Sequence, residues 1–416
     1  MMIVGKYFEN VEDFMNVKMV NKKYRCITET YKYNPIPLND ERTRGMFSGI
    51  ETQHLYSKED NVWNDGEITR HVHWDPITYG EYIERGGAVD SELYKDVQYT
   101  RGDRNRHGDK IPEVVGAVGD RCFATCTSLT SISIPPTVSS IGNQCFFGCA
   151  SLTLINIASS VRAIGDRCFS YCTSLESIVI PPSVRVIGDG CFSGCALLSS
   201  ITIPTSVCAI SMECILGCMS LSSITIPSPV VTIGHGCFSS CISLESIVIP
   251  PSVCIIGDRC FLGCMSLDSI VIPSSVHVIG ERCFSECSSL SSITIPSSVG
   301  AIGDNCFSYC LSLPSIVIPS SVVTIGNGCF SSCTSLESVV IPLSVRVIGE
   351  QCFSECSSLS SVTILSSVVT ICKQCFWGCT PPSSLSIPCQ LMPNVPYLFE
   401  GLFPSRGSQG EPHQVS

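Results

Sequence analysis

The chain has 416 residues, 44% of them hydrophobic, with 25 basic against 36 acidic side chains and a formal net charge of -11. That balance disfavours nucleic acid or an anionic membrane, which are bound by counterion release and positive charge. Twenty-nine cysteines accompany a start, "MMIVGKYFENVEDFMNV", without a secretory leader, an end, "HQVS", without a prenylation box, and no run near the ~18 apolar residues of a membrane span, so a cytoplasmic, reducing setting is expected and cross-links are not.

Residues 1–110 hold 16 of the 25 basic residues, two of the three tryptophans and nine of the twelve tyrosines, and repeat nothing at a fixed interval. Val4, Tyr7 and Phe8, then Phe14, Val17 and Val20, fall at helical spacings and predict two short helices. Residues 1–100 therefore read as a separate helical or mixed region, a cap for the end of a stack or a docking module. In "RHVHWDP" a strand puts His71 and His73 on one face. Two ligands without a third make a poor metal site, so an exposed histidine pair is expected, and an enzyme built on His71, His73 and Asp75 has no supporting geometry. "RGDRNRHGDK" (101–110) reads as a polar linker, its Arg-Gly-Asp a chance match.

From there the chain repeats. Cysteine pairs four residues apart run from Cys122/Cys126 to Cys375/Cys379, each pair 23 residues after the last, with no insertion. A constant period in the twenties predicts a solenoid, one coil per repeat, in which stacking buries a core that no coil closes alone. In the coil "LESIVIPPSVRVIGDGCFSGC", Ile178 and Ile180 point to one face of a strand and Ser177 and Val179 to the other. Pro181 ends the ladder, having no N–H to give. Val184 and Ile187 turn inward, and Gly188 is expected to supply a turn conformation that a side chain resists. Cys191 and Cys195 share a face if their segment makes a helical turn, with Phe192 beside them. Phenylalanine holds its position in eleven of twelve coils, Ile215 being the exception, which predicts a stacked aromatic spine.

The spacing leaves four roles for the thiols. Zinc needs four convergent ligands, adjacent coils keep Cβ atoms wider than the ~3.8 Å a disulfide prefers, and twelve CxxxC copies make no catalytic pair. Burial as small, polarizable hydrophobes is the expectation. Cys26, Cys208, Cys254, Cys372 and Cys389 lie outside the pairs and follow no ligand spacing.

Outward strand positions form two rows. One is serine in eleven of twelve coils; the other runs Ser133, Asn156, Val179, Thr202, Thr225, Val248, Val271, Thr294, Val317, Val340, Thr363, Ser386. Glu176, Glu245, Asp268 and Glu337 edge this uncharged, β-branched strip. Few charges need be stripped of water there, so it suits a protein or glycan ligand; no cofactor, metal or nucleic acid is expected.

The pattern C-F-x-x-C-x-x-L-x-x-I-x-I-P-x-x-V-x-x-I-G resembles the BspA-like leucine-rich repeat family over roughly Ile111 to Pro388. It departs from the pattern at Ala158 and Leu365 (no proline), Ser211 and Cys372 (no glycine), and Pro382 (no leucine). The resemblance implies a leucine-rich repeat solenoid of about twelve coils, with parallel strands and short helical or 3-10 turns, over 111–388, followed by a C-terminal cap (389–403) and a disordered tail (404–416). It also implies a non-enzymatic binding scaffold, with surface adhesion reached by a non-classical route. "YKYNPIPLN" (Tyr31 to Asn39) resembles the amino-terminal region of amoebic BspA-like proteins. Val20-Asn21-Lys22-Lys23-Tyr24 resembles an F-box element, which would imply an intracellular ubiquitin-ligase adaptor whose repeats select substrates.

Overall fold

The computed structural model describes residues 8–20, 27–87, 89–365, 368–380 and 384–386, which fall into two units, one within Met1–Cys122 and Pro135–Ser140 and the other within Phe123–Ile134 and Ile141–Ser416. Outside the described residues lie Val4, Tyr7, Cys26, Pro382, Cys389, residues 21–24 of the F-box-like element, the expected cap and the expected tail.

In the first unit, α1 (Val11–Val20) starts where the Asn10 side chain accepts the N–H groups of Glu12 and Asp13, relieving two orphan donors. It drives Phe14 into a cluster with Tyr31, Leu38, Phe47 and Ile50, meeting the Tyr31 and Phe47 rings edge-on at 5.9 and 5.4 Å. A capping box between Asp40 and Thr43 opens α2 (Glu41–Met46), and Arg44, buried on that helix, is held by Asp65 and Glu67.

The rest of this unit is wound. β1 (Thr52–Leu55), β2 (Arg70–His73) and β4 (Glu92–Tyr94) pair in parallel, as do β3 (Ile77–Thr78), β5 (Val97–Tyr99) and β6 (Ala117–Val118). Ladder partners lie 18, 21, 20 and 19 residues apart. A parallel pair needs a crossover, and at this length the crossover is one coil. Residues that show no period thus already coil, at unequal step lengths.

The polar stretch read as a linker is a helix. α4 (Arg101–His107) is opened by a capping box between Thr100 and Asp103, and the buried Asp103 carboxylate also accepts the Gly80 N–H at 2.7 Å at the start of α3 (Tyr79–Glu84). Polarity misled here because a short surface helix with a good cap needs few apolar residues.

The second unit repeats at 23 residues in every register pair, for example Ser177↔Ser200, Ile178↔Ile201 and Val179↔Thr202. The "SIV" strand has its central isoleucine buried and its flanking residues exposed, as the alternation predicts. Among the described residues the coils also carry a second, unpredicted strand: Val186–Ile187 and its equivalents pair in parallel, and eight of these strands (Ala209–Ile210 to Thr370–Ile371) make one sheet. The segment between the cysteines is not a helical turn. It is a hydrogen-bonded turn (Cys195 N–H to the Phe192 carbonyl, 3.2 Å) whose backbone also bonds to the next coil (Phe192 N–H to the Cys214 carbonyl, 2.8 Å; Gly194 N–H to the Leu216 carbonyl, 2.7 Å). Stacking gains a third ladder that a helix, bonded internally, would forgo.

The glycine before this turn is required for a different reason from the expected one. A β-carbon on Gly188 would stand 2.4 Å from the Asp166 nitrogen and 2.6 Å from the Gly165 carbonyl carbon, so glycine lets successive backbones stack closely. The left-handed residue comes two positions later, at Gly190 (φ 59°) and at Arg167 (φ 51°) one coil earlier. Asp166 closes the corner: its Oδ1 accepts the Asp189 N–H at 2.9 Å, a bond repeated by Asn143, Asp189, Asp258, Asp304 and Asn327 to the next coil.

Phenylalanine rings stack as predicted, with centroids 5.1–5.5 Å apart from Phe123 to Phe192 and 5.3–5.5 Å apart from Phe238 to Phe376. Ile215, fully buried, fills the interval.

Candidate functional site

The outward strip stands where the alternation puts it. Val179, Val248, Val271 and Val317 are 70–81% exposed and Val340 is 56% exposed. Thr202, Thr225 and Thr294 are exposed and Thr363 is half-buried, while Glu176, Glu245, Asp268 and Glu337 are exposed along the edge. Backbone groups of the edge residues tie coils together (Ser199 N–H to the Glu176 carbonyl, 2.9 Å; Ser360 N–H to the Glu337 carbonyl, 2.9 Å), and the Asp268 carboxylate also accepts the Ser291 hydroxyl of the next coil at 2.8 Å. Such a strip is rigid, β-branched and polar only through small hydroxyls and an acidic margin. It orders little side-chain entropy on contact and offers no nucleophile with a positioned base. The second strand row, which the sequence reading missed, adds exposed Val186, Ile255 and Val278.

The thiols face inward. Every paired cysteine from Cys145 to Cys379 is buried and Cys126 is half-buried; among the described residues no cysteine is joined in a disulfide. Cys208 and Cys254 are exposed and Cys372 is half-buried. Burial pushes Cys195, Cys214, Cys241, Cys283 and Cys333 up to about 12, and Cys168, Cys191, Cys237, Cys260 and Cys306 well above their ordinary value. A thiol held neutral is neither nucleophile nor metal ligand. The second cysteine of each pair is more than filler: from Cys149 to Cys379 each Sγ donates to the carbonyl 26 residues earlier, as Cys195 does to Phe169 at 3.1 Å and Cys264 to Phe238 at 3.2 Å. These weak bonds stitch coil to coil.

His71 and His73 do share a face of β2, but they are buried, not exposed. Glu92, on β4, lies 3.0 Å from His71 Nδ1 and 2.6 Å from His73 Nε2; His71 Nε2 lies 3.2 Å from the Trp63 carbonyl, and Tyr94 stacks on His73 at 4.4 Å. Glu92 was missed because only the 21-residue ladder step brings it beside His71. Asp75 is buried and 3.9 Å from His73. Among the described residues no cluster of three or more such side chains is arranged to hold a metal ion, and no helix is long and apolar enough to cross a membrane.

A family model described as the BspA type leucine rich repeat region (6 copies) matches residues 109–222, 209–333 and 300–402. Among solved structures, the chain is similar to a leucine-rich repeat protein from Bacteroides ovatus at 32% identity, covering 60% of this chain and 82% of that one with a TM-score of 0.40. It is similar to a leucine rich cell surface protein from Faecalibacterium prausnitzii at 29% identity, covering 61% and 84% with a TM-score of 0.41. For a leucine-rich repeat protein from Eubacterium ventriosum the identity is 24%, the coverage 71% and 85%, and the TM-score 0.49. A search of curated proteins finds no match. With coils matched continuously from 109 to 402, the chain belongs to the BspA-type leucine-rich repeat family.

Proposed function

We propose that this protein is a binding scaffold that recognises a protein or glycan ligand through the outward strip of its first strand row. The observation that supports this most is the strip itself: Val179, Val248, Val271 and Val317 stand largely exposed on a backbone braced from coil to coil, at a cost in apolar exposure that a coil needing only solubility would avoid. Family membership favours display at the cell surface, where such a strip serves adhesion; labelling of intact cells with a membrane-impermeant reagent tests that setting.

The binding reading is tested with the full-length chain on arrays of glycans and of surface and secreted proteins. A ligand retained by the wild type should be lost by a Val248→Lys/Val271→Lys variant, both positions being at least 70% exposed, while its circular dichroism spectrum should match that of the wild type. Retention by that variant at wild-type strength, or the absence of any retained ligand, refutes the reading.

A further inference from the structure

In a chain of near-identical coils, a surface row that changes character over a few adjacent copies marks a local specialisation. The position after the second cysteine is small or polar from Thr127 to Ala196 and again at Thr334, Ser357 and Thr380, but between them it runs Met219, Ile242, Met265, Ser288, Leu311, large and apolar in all but Ser288. These sit on consecutive coils, tied by Ser266 N–H to the Ile242 carbonyl, Ser289 N–H to the Met265 carbonyl and Ser312 N–H to the Ser288 carbonyl, each at 3.1 Å. Met219, Ile242, Met265 and Leu311 are 38–49% exposed. Ser288, one size smaller than its neighbours, leaves a notch of about 370 Å³ lined by Met265, Glu286, Ser288, Tyr309 and Leu311.

The segments that hold this row carry only acidic charge, with Arg259 and Arg282 just before two of them on the same coils. Over the five segments 217–222, 240–245, 263–268, 286–291 and 309–314 there are three acidic residues, Glu245, Asp268 and Glu286, and no lysine, arginine or histidine. All three are exposed, and two of them also edge the strip of the proposed function. The complement of an apolar row with an acidic margin is an apolar row with a basic one. Methionine, unbranched and polarizable, moulds itself to such a partner.

Building on the scaffold reading, we infer that the central coils bind a basic amphipathic segment of a partner protein, with one bulky apolar side chain seated in the Ser288 notch and a lysine or arginine against Glu286. The acidic margin disfavours an anionic membrane as occupant.

The test uses the full-length protein and a dye-labelled synthetic amphipathic peptide of leucine and lysine, read by fluorescence anisotropy. Two controls replace lysine by glutamate or leucine by serine. The leucine/lysine peptide should bind, and each control should bind at least about tenfold more weakly. Ser288→Trp fills the notch and should weaken binding about tenfold; Glu286→Gln, which removes only a charge from an exposed side chain, should weaken it about threefold and flatten its salt dependence. The circular dichroism spectra of both variants should match that of the wild type. Absence of binding, equal binding to Ser288→Trp, or equal binding of the serine/lysine control, which reports attraction to net charge alone, overturns the inference. If the array ligand is still lost by Val248→Lys/Val271→Lys, the scaffold reading survives that failure.

Discussion

Raising the pH should unfold the solenoid, because its core is built from acids held neutral. Cys195, Cys214, Cys241, Cys283 and Cys333 are almost wholly buried, and burial lifts each from the ordinary 9.0 to about 12. A group whose folded value is raised stabilises the fold fully below its unfolded value and loses that contribution as pH climbs toward the folded one. At pH 10 the unfolded thiol is mostly ionised and the folded one is not, a difference of roughly 1–2 kcal/mol per thiol, or on the order of 7 kcal/mol for the five. The deeper thiols, Cys168, Cys191, Cys237, Cys260 and Cys306, add as much again, since at that pH the loss is set by ionisation of the unfolded chain. Set against roughly 5–15 kcal/mol for a typical domain, this suffices for unfolding. In an alkaline titration of the reduced protein, far-ultraviolet ellipticity and thiolate absorbance should therefore move together, in a steep step about one pH unit above the free-thiol value. Thiolate absorbance rising near the ordinary value while ellipticity holds would show that the sulfurs ionise in place and would refute their burial.

Two further outcomes follow from the corners of the fold. Gly257→Ala would set a β-carbon 2.6 Å from the His235 nitrogen and 2.8 Å from the Gly234 carbonyl carbon, backbone atoms that cannot swing aside; it should cost roughly 1–3 kcal/mol in urea unfolding, and a neutral result would remove close stacking as the reason for glycine. Thr100→Ala removes the cap of α4 and should cost about 1 kcal/mol while speeding tryptic cleavage after Arg101, Arg104 and Arg106; cleavage of the wild type there as fast as of an open loop would restore the linker reading.

How much was legible follows from which forces leave a mark at fixed spacing. The strand alternation at Ser177, Ile178 and Val179, the phenylalanine spine and the buried thiols each recur once per coil, so the period displays them. Gly188 recurs equally, yet its reason lay in the backbone of the neighbouring coil, which no residue pattern reports. The strand at Val186–Ile187 is too short to show an alternation of its own. In the first unit the ladder steps of 18 to 21 residues destroy periodicity altogether, so the coiling of β1, β2 and β4 and the meeting of Glu92 with His71 and His73 were hidden.

The specialised row was hidden for the opposite reason. A methionine, a serine and a leucine at 265, 288 and 311 are each one tolerated surface change in an otherwise regular coil, and read along the chain they resemble drift. Stacking makes residues 23 apart into neighbours, and the same three changes then border a single notch beside Glu286 and Tyr309. In a solenoid the repeated residues specify the fold, since every coil must bury the same core against the next. Recognition of one partner over another has to come from what does not repeat, because a face identical in every coil offers a ligand twelve equivalent registers and no reason to choose among them.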